Sequence, residues 1–309
     1  MATAALCLKA RPTATQLADR LRPLEGDVPD GLELYLAAQD LATPEAMDGV
    51  VERINACHLP DDFALLIEGP VDSLDGADFD PSRDSDADRE TVRRLAELAR
   101  RIGARAVNIH LIAPSEDLGR LTLECRKALL ERSIGFMHQF VDQMHNAGTA
   151  PTIENMPPVL RMRRSDFVFT PIGMASEDLR WMADQVPGLK LLVDTSHAGL
   201  YLNARAAEAI DEPWGEPLLR YLRQLPPEPA DVLGYAQALG PNLENAQISN
   251  AQGILGEGLP YDEGDLQLDP VIKWLAGSVE HIVTETIEAD HNEAVHMRAA
   301  LRRMRAAVA

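Results

Sequence analysis

The sequence predicts a (β/α)8 TIM barrel, and three observations carry that prediction. Eight short apolar runs rich in β-forming residues alternate with helical segments from one end of the chain to the other, at 3–9, 31–36, 63–68, 106–111, 150–154, 190–195, 245–249 and 281–286. Such alternation specifies a parallel sheet with helices outside it. At 309 residues and 46% hydrophobic composition, the chain suits one barrel domain spanning 1–309. Finally, several runs end in a polar residue, and these ends are scattered over the whole length, as a mouth shared by all strands requires. A doubly wound open sheet is the alternative, but no GxGxxG follows the first run.

The intervening helices carry their own start and stop signals. Thr43-Pro44 supplies a cap and a first-turn proline before EAMDGVVERINAC, and Asp269-Pro270 repeats the pattern before VIKWLAGSV. Ser85 and Asp88 have capping-box spacing ahead of a helix with Val92, Leu95, Ala99 and Ile102 on one face. Residues 120–147 form one long helix or two, stopped by Gly148. Two connections are long. The aspartate-rich stretch 72–90 reads as a solvated surface loop, with a lid over the mouth as the lesser reading, and 198–244 reads as an insertion in the barrel.

Composition narrows the function. A formal charge of -20 and a pI near 4.7 leave a surface that repels phosphate backbones and anionic lipid, so neither nucleic acid nor membrane is expected as a partner. Cys7, Cys57 and Cys125 are odd in number and lack CxxC spacing, which points to reduced thiols and excludes a zinc-finger framework. MATAALCLKARP has no signal-peptide pattern, and no run of about 18 apolar residues occurs, so a cytoplasmic location is expected.

Four polar residues at strand ends are the candidate site: Glu154 in TIEN, Asp194 in LLVDTSH, Gln247 in NAQISN and Glu285 in HIVTET. Three carboxylates in one mouth repel one another unless a cation compensates them, so the set reads as ligands of one divalent ion. Oxygen donors favour Mg²⁺, Mn²⁺ or Co²⁺ over a structural zinc, which draws on cysteine. Asp194 and His197 form a DxxH element, and His110 closes the fourth run; of the eight histidines, these two alone stand at strand ends. Lys9 and Glu68 end the first and third runs, where snorkelling or simple pairing explains each better than a role in the mouth does.

On these residues the chain resembles the xylose isomerase-like superfamily of sugar isomerases and epimerases, which also contains endonuclease IV-type barrels. The resemblance covers nearly the whole chain and rests on NIH (His110), IEN (Glu154, Asn155), VDTSH (Asp194, His197), QISN (Gln247) and VTET (Glu285). It implies one divalent ion, Mn, Mg, Co or Zn, bound by Glu154, Asp194, Gln247 and Glu285. It also implies that the two glutamates transfer protons, with His110, His197 and Asn155 on the substrate. Many members carry histidine where Gln247 stands; glutamine is more like the hydroxypyruvate isomerase-like branch, although that family's arginine-containing loop is not evident in AQGILGEGLPYDEGD. The glycines of GEGLPYDEGDL suit either an approach of backbone amides to a substrate or a flexible turn.

The implied activity is isomerisation or epimerisation of a ketose, sugar phosphate or small hydroxy-keto acid through an enediolate, which needs a base, an acid and a cation. A metal-dependent lyase or dehydratase uses the same first step, and a barrel that has lost catalysis and only binds a partner is the alternative outside enzymes. An endonuclease IV-like nuclease needs more histidine ligands and a basic rim, and neither is present. A homo-oligomer is compatible with the sequence.

Overall fold

The computed structural model describes residues 4–23, 28–161 and 167–308; Thr3, where the first strand was expected to start, lies outside them. Its strands are β1 (Ala5–Ala10), β2 (Gly31–Tyr35), β3 (Ala64–Glu68), β4 (Ala106–His110), β5 (Ala150–Glu154), β6 (Val159–Arg161), β7 (Phe167–Phe169), β8 (Lys190–Asp194), β9 (Leu243–Ile248), β10 (Asn250–Gln252), β11 (Gly256–Leu259) and β12 (His281–Thr284). Eight of them close a barrel in the order β1-β2-β3-β4-β5-β8-β9-β12, and every barrel pair is parallel. The eight strands expected from sequence are these eight. The other four strands form two antiparallel hairpins, β6–β7 and β10–β11, beyond the ends of β5 and β9.

Because side chains alternate along a strand, residues two apart share the barrel interior. Cys7, Ala64, Leu66, Ala106 and Val283 form a small apolar cluster apart from the main core. Two residues further along the same strands stand Lys9, Glu68, Asn108 and Glu285. The interior thus changes from small and apolar to charged towards the C-terminal ends, which places the chemistry at one mouth. Gly31 belongs to the narrow part: a Cβ there would lie 2.4 Å from the Ala64 carbonyl oxygen and 2.8 Å from Cys7 Sγ, so only glycine fits between these strands.

The main hydrophobic core lies between barrel and helices, where Leu6, Leu8, Leu32 and Leu34 point outward from β1 and β2. Leu123–Ala147 is one continuous helix, capped by Thr122 and ended by Gly148 at φ 76°. Thr43 caps Pro44–Asn55 as its sequence predicts. Two cap expectations are corrected. The helix expected to be capped by Asp269, with Pro270 in its first turn, begins earlier, at Leu268 with Gln267 as the preceding cap residue; Leu268 is buried, and the Asp269 carboxylate accepts from the Tyr261 hydroxyl at 3.0 Å instead. Ser85 accepts from the Asp88 amide at 3.1 Å, but the Asp88 carboxylate takes the Ser85 hydroxyl and not the Ser85 backbone amide that a capping box uses. It is drawn into the 72–90 segment by Ser73 Oγ, Ser85 Oγ and Arg83.

That network also overturns the expectation of a solvated loop at 72–90. Asp88 and Ser73 are fully buried, and Phe79 packs edge-on against Phe136 with ring centroids 5.7 Å apart. The 198–244 segment holds the remainder of helix Thr195–Ala206 and the helices Gly215–Leu222 and Val232–Ala238. Tyr221 and Tyr235 from this segment donate to the carbonyls of Pro171 and Met174, tying it to the connection after β7. Among the described residues, no helix is long and apolar enough to cross a membrane.

Candidate active site

Glu154 ends β5 and is 1% exposed. Its Oε2 accepts from Asn108 Nδ2 at 2.5 Å, and its Oε1 lies 3.0 Å from His197 Nδ1. Asp194 ends β8 and caps the following helix, its Oδ1 accepting from the His197 amide at 2.6 Å. One turn therefore carries His197 back over β5, where Nδ1 also lies 2.9 Å from the Asn155 carbonyl oxygen and Nε2 lies 3.2 Å from Glu257 Oε1. Ligand atoms of Glu154, Asp194 and His197 all lie within 4.8 Å of one another.

Asn155 was expected on the substrate. Instead its Oδ1 accepts from the Asp194 amide at 2.7 Å and its Nδ2 donates to the Asp194 carbonyl at 3.1 Å. With no exposed surface, it fastens β5 to β8 and does not reach the cavity. His110 is adjacent to Glu154 in register on the neighbouring strand, with Nε2 3.7 Å from both Glu154 Oε2 and Glu68 Oε1.

A second group surrounds Lys9. Its ammonium contacts Glu68 and Glu285 and lies 3.9 Å from Glu33 Oε2; ligand atoms of those three glutamates also fall within 4.8 Å of each other. Gln247 joins this group, its Nε2 donating to Glu33 Oε2 at 2.7 Å and Glu68 Oε2 at 2.8 Å. In register it stands beside Asp194 of the first group. The four strand-end residues singled out in the sequence are thus divided: Glu154 and Asp194 sit with His197, whereas Glu285 and Gln247 sit with Glu33, Glu68 and Lys9.

Electrostatics ties the halves together. Burial, reinforced by neighbouring carboxylates, raises Asp194 to about 6, Glu33 to about 8 and Glu285 well above the usual carboxylate range. Burial would raise Glu154 too, but the His197 hydrogen bond and the charges of His110, His197 and Lys9 hold it at about 2. Burial acts to lower His197, yet Asp194 and the bonds to Glu154 and Glu257 lift it well above its ordinary value. Two buried acceptors, Gln247 Oε1 and Glu285 Oε2, have no partner. Buried polar atoms are nearly always satisfied, so a pair of unpartnered oxygens among mutually repelling carboxylates is compatible with a cation at this mouth.

A cavity of about 590 Å³ opens beside this cluster, lined by His110 and Glu257 together with Phe79, Met156 and Ile287. Asp72, Gly76 and Asp78 of the 72–90 segment form part of its wall. A second cavity of about 320 Å³ lies on the other side of Lys9 and Glu285 and includes Arg11 and His291.

Sequence reasoning missed Glu33, Asn108 and Glu257. Glu33 left a signal, a charged residue between Leu32 and Leu34 in an otherwise apolar run. Glu257 left none that separates it from the acidic residues around it: GEGLPYDEGDL suits either a backbone approach to substrate or a flexible turn, whereas Gly256–Leu259 is a strand whose hairpin directs the glutamate to His197.

No family model matches the sequence, and no curated protein does. Solved structures do match, over almost the whole chain. A D-tagatose 3-epimerase-like protein has 15% identity and a TM-score of 0.65, covering 98% of each chain. The 3-keto-D-glucoside 4-epimerase of E. coli has 12% identity and a TM-score of 0.60, covering 99% of this chain and 98% of that one. A xylose isomerase domain protein from Planctomyces limnophilus has 11% identity and a TM-score of 0.59, with 99% and 97% covered. At such identities the likeness speaks for architecture, and the chain has the (β/α)8 barrel fold of these proteins.

Proposed function

We propose that this protein is a divalent-metal-dependent isomerase or epimerase that moves a proton on a ketose, a sugar phosphate or a small hydroxy-keto acid. The observation that carries the reading is the set of strand-end residues Glu154, Asp194, Gln247 and Glu285 at the barrel mouth, with the buried Gln247 Oε1 and Glu285 Oε2 unpartnered. The epimerases that share the fold support it.

A divalent ion held by these four side chains would polarise a substrate carbonyl and stabilise negative charge on its oxygen. The residues around it divide the remaining work. Glu154, fixed by Asn108 and His197, and Glu285, fixed by Lys9, come from β5 and from the end of β12. One removes a proton from the carbon next to the carbonyl and the other returns a proton to the neighbouring carbon or to the opposite face. His110, on the cavity wall, donates to a substrate oxygen. His197, with both ring nitrogens facing oxygens, holds Glu154 and Glu257 in place.

Gln247 in place of histidine keeps the hydroxypyruvate isomerase-like branch, and hence small hydroxy-keto acids, within the substrate range. A lyase or dehydratase would begin with the same proton abstraction and differ in expelling water or another leaving group. The deciding experiment is metal analysis of the purified protein, followed by a screen of ketoses and keto acids for deuterium uptake from D₂O. Solvent deuterium in an isomeric product supports the proposal, whereas loss of water from the substrate would establish the dehydratase. A protein that neither binds a divalent ion nor exchanges any substrate proton would refute it.

A further inference from the structure

Glu68 Oε2 accepts from two donors at once, the Lys9 ammonium and Gln247 Nε2. An ammonium only donates, so this carboxylate oxygen is an acceptor, and the Gln247 atom facing it must be the amide nitrogen. The Oε1 of Gln247 is thereby turned the other way, where it is buried without a partner. Lys9 acts on Glu285 similarly: it engages Oε1 and leaves Oε2 unpartnered. A single lysine therefore determines which oxygen of two different side chains is presented. Glu33 completes the arrangement, accepting from Gln247 at 2.7 Å and pairing in register with Lys9 across β1 and β2.

We infer that Lys9, Glu33 and Glu68 form an internal clamp that presents the Gln247 amide oxygen and one Glu285 oxygen to a divalent cation, making the ligand set all-oxygen. The inference rests on the proposed metal site and adds the reason its geometry is set. The three are positioning residues. The clamp gives a free glutamine amide one orientation, and an all-oxygen set favours hard ions such as Mg²⁺ and Mn²⁺ over Zn²⁺, for which nitrogen or sulfur donors are preferred. Hydrogen-bond partners behind metal ligands are typically worth about 10–100-fold in affinity.

The test separates geometry from charge. Mn²⁺ is titrated calorimetrically into chelator-treated wild type and into the double variant Lys9→Met/Glu68→Gln, which removes one positive and one negative charge and leaves the local sum unchanged. The clamp predicts at least tenfold weaker Mn²⁺ binding in the double variant, and Gln247→His should move the Mn²⁺-to-Zn²⁺ preference toward zinc by a similar factor. Mn²⁺ affinity of the double variant within threefold of wild type would overturn the clamp. Failure of the wild type to bind Mn²⁺ or Zn²⁺ would overturn the metal site itself, a distinguishable result. Should the double variant not fold, a crystal structure of the wild type with Mn²⁺ decides: Gln247 Oε1 on the ion with Nε2 on Glu33 and Glu68 supports the clamp, and the reverse orientation, or Lys9 displaced from Glu68, refutes it.

Discussion

His197 Nδ1 and Glu154 Oε1 lie 3.0 Å apart although the two residues leave the barrel on different strands. The contact follows from the DxxH spacing. Asp194 caps the helix that begins at Thr195, and the first turn of that helix returns the third residue toward the barrel axis. Asn155, bonded at both ends of its amide to the Asp194 backbone, fixes the distance between the two strand ends. Cap, turn and strand tie together orient one carboxylate.

His197→Ala is therefore expected to lower turnover about 10–100-fold, the usual scale for removing a partner that orients a metal ligand. The protein should stay folded, since the cap bond runs through the His197 backbone amide and not its ring. Turnover within twofold of wild type, measured with an identified substrate, would take His197 out of the site.

Asp88 offers a test in which stability and binding should move together. Its fully buried carboxylate accepts from Ser73, Ser85 and Arg83 and holds the segment that walls the main cavity. Breaking a buried charged pair costs about 3–5 kcal/mol, and because Arg83 is partly exposed and can turn to water, about 3 kcal/mol is expected for Asp88→Ala. Urea unfolding gives that loss directly. KM should rise while kcat changes little, because the altered wall is not the reacting cluster; loss of kcat alone would contradict this account.

The barrel was readable because its signal is repeated eight times, each run apolar, short and followed by a helix with ordinary caps. Lys9 and Glu68 were visible as strand-end residues, but nothing local separates a lysine that snorkels from one clamped between glutamates; only the register of β1 with β2 and β3 does that. Glu257 required a hairpin of three- and four-residue strands, below the length at which alternation can be read. The 72–90 segment misled for a physical reason. Its many aspartates suggest solvent, and the one that organises it, Asp88, is distinguished only by its partners.

The surface charge makes a separate prediction. With 49 acidic against 29 basic residues, a DNA backbone gains no counterion release from this protein. Gel shift or fluorescence anisotropy with an abasic duplex at moderate salt should detect no binding. Tight binding that weakens steeply with salt would restore the nuclease alternative despite the charge.

The two glutamates allow the strictest test of the chemistry. Glutamine at either position keeps the side-chain size and one ligand oxygen but cannot accept a proton at neutral pH. Glu154→Gln and Glu285→Gln should therefore retain part of their metal while losing turnover by about 10²-fold or more, the typical contribution of general acid–base catalysis. Metal content and rate would then separate, which a purely structural role for either carboxylate does not produce. With a true substrate in D₂O, the wild-type protein should place deuterium on the carbon next to the carbonyl, because the removed proton exchanges with solvent while it resides on a carboxylate. A hydride shift would instead carry the original hydrogen across and leave the product unlabelled. Near-normal rates in both variants, or unlabelled product from the wild type, would rule out proton transfer by Glu154 and Glu285 even with an ion found among the four ligands.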